Sequence, residues 1–258
     1  MNSKLIVLNW KTNPTSGSEA AKLGVKIKDL IKNKKNVEVV VCPPAPFIPL
    51  VMPKRKNKGL AVGAQDAFFV GSGSYTGRAS SEMFKSLGCE YVIVGHSEKR
   101  QDGDTDEVVA KKVESVIRSN MKAIICVGEE IRDKEGKYLN LIRHQVISAI
   151  SLVKKSYLKD VIIAYEPLWA IGKDAYKADD PESFFHNAVF IKKAFATVAG
   201  SEMAVKLPVL YGGSVTADNA LKFLVSGRAD GLLIGRASLL PEQVKDIIYM
   251  AEQLGNNK

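Results

Sequence analysis

Apolar residues gather along this chain in eight short runs: LIVLNW (5–10), VEVVVC (37–42), LAVGAQ (60–65), YVIVGH (91–96), AIICVG (123–128), VIIAYE (161–166), PVLYGG (208–213) and GLLIGR (231–236). The runs are nearly continuous instead of alternating, which is the pattern of strands in a parallel sheet covered by helices. Between them the spacing changes to three and four residues. Leu23, Ile27, Leu30 and Ile31 form one stripe, with Ser18 as the expected N-cap. Val109, Val113, Val116 and Ile117 form another after Thr105, followed by Phe184, Ala188, Ile191 and Phe195, and by Val244, Ile247, Ile248 and Ala251 after Pro241. Such spacing places one apolar face on a helix, and each stripe reads as core packing. Ser18 is a residue type that satisfies first-turn N–H groups, and Pro241 suits a first helical position.

Eight strands, each followed by a helix, in 258 residues predict an α/β fold: a closed (β/α)8 barrel of parallel strands surrounded by helices. A doubly wound open sheet is the rival. It would ordinarily carry a glycine-rich dinucleotide loop after its first strand, and NWKTNPTSG lacks the G-x-G-x-x-G spacing. With no linker, low-complexity tract or shift in composition, residues 1–258 are expected to form one domain.

Composition narrows the class. Apolar residues make up 46% and charged residues 25%, an ordinary globular balance that excludes disorder. No apolar run approaches the ~20 residues of a membrane span, and the opening MNSKLIVLNWK has too short an apolar core for a secretory signal. Cys42, Cys89 and Cys126 are odd in number and far apart, so free thiols in a reducing cytoplasm are expected. The net charge of +9 raises the question of nucleic acid. The basic runs KNKK (32–35) and PKRKNK (53–58) lie where predicted helices end, though, and no aromatic residues interleave with them. A solvated surface that draws in a small anion is the better reading, with no nucleic-acid or membrane partner.

Active sites of such barrels are built at the carboxyl ends of the strands. Strand one ends in Asn9, Trp10 and Lys11, and strand four in Gly95, His96, Ser97 and Glu98. Strand six ends in Glu166, strand seven in Gly212, Gly213 and Ser214, and strand eight in Gly235 and Arg236. Each alone has an ordinary explanation: an exposed lysine, a structural histidine, a solvated acid, a tight turn capped by Thr216 or Ser214. Together they put an ammonium, an imidazole and a carboxylate at one face, beside small residues whose N–H groups can approach an anion. A carboxylate facing those two groups suits removal of a C–H proton next to a carbonyl, with the imidazole and ammonium polarising the oxygen. His96, His144 and His186 show no ligand spacing, so no metal is expected.

The motifs NWK (9–11), GAQD (63–66), YTG (75–77), VGHSEKR (94–100), CVGE (126–129), AYEPLWAIG (164–172), YGGSV (211–215) and DGLLIGRASL (230–239) resemble, in order and spacing, those of the triosephosphate isomerase family. The resemblance covers essentially the whole chain. It implies a TIM barrel that interconverts dihydroxyacetone phosphate and D-glyceraldehyde 3-phosphate through an enediolate, needs no cofactor, and works as a cytoplasmic homodimer. Lys11, His96 and Glu166 would be catalytic: Glu166 the base, His96 a neutral electrophile, Lys11 the stabilising cation with Asn9 beside it. Gly172, Ser214, Gly235 and Arg236 would hold the phosphate, mainly through backbone N–H groups. Pro167 and Trp169 would start a mobile lid. The segment 66–80 would dock into the partner, with Thr76 close to the partner's active site.

The chain departs from the family pattern at several points. Lys173 and Asp174 stand where Thr-Gly is usual after WAIG, and the segment to Pro181 is longer. Arg236 replaces a common second glycine, Asp66 an Asn, Arg78 a Glu and Lys99 an Arg. Two alternatives stay open on the residues alone: another isomerase or aldolase on a phosphate-binding barrel, and a catalytically silent barrel that acts as a binding partner.

Overall fold

The computed structural model describes residues 3–53, 59–133, 135–170 and 179–256. Eight strands are present: β1 Lys4–Asn9, β2 Val37–Cys42, β3 Leu60–Ala64, β4 Tyr91–Val94, β5 Lys122–Val127, β6 Val161–Tyr165, β7 Val209–Tyr211 and β8 Gly231–Ile234. They pair in parallel in chain order and close into a barrel. The closing pair is β1 with β8, in register from Leu5 against Gly231 to Leu8 against Ile234. A side chain at Gly231 would lie 1.9 Å from the Leu5 carbonyl oxygen, so only a hydrogen fits at this seam. A doubly wound sheet, which leaves two edges open, is thereby excluded.

Closure splits the apolar residues into two cores. Ile6, Leu8, Val39, Val41, Ile125 and Ile163 point outward into the layer shared with the helices. Leu5, Val7, Val40, Ile124, Cys126, Ile162, Ala164, Leu210 and Leu233 fill the barrel interior. Both faces of every strand are therefore buried, which is why the runs are continuous instead of alternating. Most strands stop one or two residues before the expected end, so the polar residues of those runs begin the loops.

The helices follow the stripes. The helix Gly17–Ile31 buries Ala20, Ile27 and Ile31, but its N-cap is Ser16, whose Oγ accepts the Glu19 N–H at 3.3 Å. The expected cap, Ser18, lies inside the first turn. Apolar spacing locates the buried face but does not choose between two serines in one turn. Thr105 caps Asp106–Arg118, accepting the Val108 N–H at 3.3 Å, and Pro241 opens Pro241–Asn256. All three cysteines are buried and free.

Candidate active site

The two-residue period of the strands decides what crowns the barrel. In β6, Ile162 and Ala164 face the interior, and Glu166, two residues on, continues that phase. Asn9 continues the phase of Leu5 and Val7, Gly212 that of Leu210, and Gly235 that of Leu233. Gly128 continues the phase of Ile124 and Cys126. This top layer is one amide, one acid and three glycines. A side chain at Gly128 would strike the Glu166 carbonyl at 1.8 Å, and one at Gly212 would meet Glu166 Cγ at 2.9 Å. One at Gly235 would meet Lys11 Cε at 3.4 Å. The missing side chains leave a cavity of about 510 Å³ above the barrel core. Asn9, Lys11, His96, Glu166, Ser214, Gly235 and Arg236 all line it. Gly172 and the altered lid tip at Lys173 and Asp174 lie outside the described residues.

Lys11 adopts a left-handed backbone conformation, φ 54°, uncommon for a residue with a side chain. Its N–H donates to Asn9 Oδ1 at 3.1 Å, and its carbonyl accepts from Gln65 Nε2 at 2.8 Å. The same Gln65 amide also reaches the Cys42 carbonyl at 2.9 Å. Two side chains thus pin the turn that carries the lysine. Its Nζ donates to Glu98 Oε1 at 2.6 Å, an accessible pair that orients the ammonium more than it stabilises the fold.

His96 follows Gly95, whose φ of +70° turns the chain off the end of β4. It is the N-cap of the short helix Ser97–Gln101. The Glu98 N–H donates to His96 Nδ1 at 3.2 Å, so Nδ1 is an acceptor and the ring proton sits on Nε2. The Glu98 carboxylate is 3.8 Å from Nδ1, beyond hydrogen-bonding reach. Nε2 stands 3.4 Å from Glu166 Oε1, with both side chains buried. Behind the turn, Arg100 Nε donates to the Gly95 carbonyl at 2.9 Å and its Nη1 to Asp106 Oδ1 at 2.7 Å.

Glu166 is tied through its backbone N–H to the Val127 carbonyl at 2.8 Å. Its carboxylate lies against Cys126, whose thiol is pushed well above its usual pKa by burial first and then by that neighbouring charge. A second, fully buried acid, Glu129, accepts from Tyr165 Oη at 2.8 Å and from Trp169 Nε1 at 2.8 Å. Burial raises the Glu129 pKa, and those two donors hold it down in part. Arg132 touches Trp169, at the start of the lid sequence, and Asp179 further along the chain. Its guanidinium is 5.5 Å from the Trp169 ring, and its Nη1 is 3.8 Å from the buried Asp179 carboxylate. Ser214 Oγ donates to the Ala170 carbonyl at 3.1 Å, joining the loop after β7 to the start of the same segment.

Sequence reasoning placed the acid, the imidazole and the ammonium at one mouth, and the fold brings them there. It gave no role to Gln65, Glu98, Arg100, Cys126 or Glu129. Cys126 was accessible from the phase of β5. The others act across 36 to 87 residues or through backbone groups, and periodicity carries no signal for that. Among the described residues no group of three His, Cys, Asp or Glu side chains is placed to hold a metal ion.

A family model described as "Triosephosphate isomerase" matches residues 4–251. Curated relatives carry the same description. One, from Geotalea uraniireducens, is 37% identical over 254 residues, covering 98% of this chain and all of the relative. Another, from Alkaliphilus oremlandii, is 38% identical, and one from Caldanaerobacter subterraneus is 39% identical. In both pairs the match covers 96% of this chain and 99% of the relative.

Proposed function

We propose that this chain, which belongs to the triosephosphate isomerase family, interconverts dihydroxyacetone phosphate and D-glyceraldehyde 3-phosphate. The observation that carries the reading is the buried Glu166 carboxylate, 3.4 Å from an imidazole whose Nε2 holds the ring proton. The Lys11 ammonium lines the same cavity.

In this mechanism Glu166 removes the C1 proton of the ketone, and the electron pair moves into an enediolate with its charge on O2. The same carboxylic acid returns the proton to C2, while the hydroxyl proton passes from O1 to O2. His96 Nε2–H and Lys11 Nζ face the oxygens and stabilise the charge that develops on them. A neutral imidazole is the suitable donor, since its Nδ1 already accepts from Glu98. Asn9 holds the Lys11 turn. The phosphate fits the glycine turns after β7 and β8, where Ser214, Gly235 and Arg236 line the cavity. Gly172 is proposed as a further phosphate contact from the lid.

The proposed assembly is a homodimer in the cytoplasm. Segment 66–80 closes on itself, where the Phe68 N–H donates to the Ala79 carbonyl at 2.8 Å, and its Asp66 carboxylate accepts from Lys112 Nζ at 2.8 Å. Phe68 packs on Phe69 and Tyr75, but Tyr75 and Thr76 remain exposed at its tip. An apolar, aromatic projection of this length suits burial in a second copy. No helix among the described residues is long and apolar enough to cross a membrane.

A coupled assay with D-glyceraldehyde 3-phosphate tests the reaction. Turnover is expected without added metal or cofactor, and its absence from the folded protein would overturn the proposal.

A further inference from the structure

We propose that the guanidinium of Arg236 is an anion-binding group of this site, and that it sets phosphate affinity and the salt dependence of binding. The proposal rests on the reading of the cavity as a triose phosphate site. It goes beyond the backbone contact already assigned to this residue.

The charges around the cavity give the reason. Its lining includes two basic side chains, Lys11 and Arg236, and two acidic ones, Glu166 and Asp218. The Lys11 ammonium is already engaged by Glu98 at 2.6 Å. Arg236, by contrast, is exposed and has no carboxylate partner among the described residues. Without Arg236, acids outnumber bases among the described residues that line a site for a dianion. The residue follows Gly235, where an added side chain would stand 3.4 Å from Lys11 Cε, so the two cationic side chains start from neighbouring parts of one rim. It follows that glycine at position 236, common in the family pattern, would leave Lys11 as the one basic side chain among the described residues that line the cavity. Arginine adds a planar donor fork that matches two phosphate oxygens at once, and a long-range attraction that glycine lacks.

The size of the effect follows from charge and distance. A unit charge ~6 Å from a dianion in a water-like dielectric is worth about tenfold in affinity before screening, and roughly fivefold at moderate salt.

The test uses the full chain with inorganic phosphate as the probe, by calorimetry and as a competitive inhibitor, at low and at physiological ionic strength. Because Arg236 is exposed, Arg236→Ala should keep its fold while retaining the backbone N–H. It is expected to weaken phosphate binding about fivefold, to raise KM by a similar factor with a smaller fall in kcat, and to flatten the salt dependence. Arg236→Lys should keep the salt dependence but recover only part of the affinity, because an ammonium lacks the fork. Unchanged phosphate affinity and salt slope in Arg236→Ala would overturn the inference and leave the isomerase reading standing. Weakened phosphate binding in a protein that shows no isomerase turnover would do the reverse.

Discussion

The Glu98 N–H donates to His96 Nδ1 at 3.2 Å, and this one contact decides which face of the imidazole carries its proton. With Nδ1 occupied as an acceptor, Nε2 is the donor, and it points into the cavity 3.4 Å from the Glu166 carboxylate. The proposed base and electrophile are thereby set face to face before any substrate enters, in loops that follow two strands whose ends are fixed by the barrel. The cost of ordering them falls on folding and not on the reaction.

Glu166→Gln keeps the shape of the side chain and removes the base. General-base catalysis is worth ~10²–10⁴-fold, so kcat should fall by at least that range, while binding of a phosphate-bearing inhibitor stays within a few-fold of the parent. Steady-state kinetics combined with inhibitor titration checks this. Near-normal turnover would end the mechanism proposed above.

Arg100 is expected to act on the proposed reaction through Gly95, as a positioning residue. Its Nε bond to the Gly95 carbonyl and its Nη1 bond to Asp106 brace the turn that presents His96. Arg100→Lys cannot make both bonds. A displacement of a fraction of an ångström at His96 should lower kcat about tenfold with KM little changed. A parallel fall in thermal stability with kcat intact would show that the arginine only supports the fold.

Lys112 is buried between Asp66, with both contacts at 2.8 Å, and Asp104 at 2.6 Å. Burial raises the Asp66 pKa above the ordinary aspartate range, against a smaller opposing pull from Lys112. The folded state therefore holds the Asp66 proton more tightly than the unfolded chain does. That contribution to stability is complete below the ordinary aspartate pKa and is lost as pH rises through the raised folded value. Asp66→Asn removes the loss and still offers Lys112 an oxygen. Its Tm should exceed that of the parent by about 2–4 °C at pH 7, on the order of 1 kcal/mol, and the gap should close as the pH falls toward 4. Lys112→Met should do the opposite. It leaves two partly buried carboxylates without their cation, and Tm at pH 7 should fall. Melting curves across that pH range separate the two outcomes.

Light scattering at micromolar concentration should give the mass of two chains. The exposed tip at Tyr75 and Thr76 is the surface that a second copy is expected to cover. A monomer with full activity at that concentration would refute the dimer.

The sequence by itself determined the barrel. Continuous apolar runs require burial on both faces of each strand, helical stripes between them supply the outer layer, and the period of two carries Glu166, Gly212 and Gly235 to the inner mouth. Those signals are local, because the phase of a strand or helix is written in residues a few positions apart. Tertiary structure decided what local phase cannot encode. It chose Ser16 over Ser18 as a cap, because that choice depends on where the helix docks. It set the left-handed turn at Lys11 through Gln65, 54 residues away, and engaged the ammonium with Glu98 from another strand's loop. It buried Glu129 beneath Tyr165 and Trp169, and it put Arg132 against both Trp169 and Asp179. Apart from the cap, each of these is a contact between distant parts of the chain, and its existence depends on barrel closure bringing the eight strand ends to one rim.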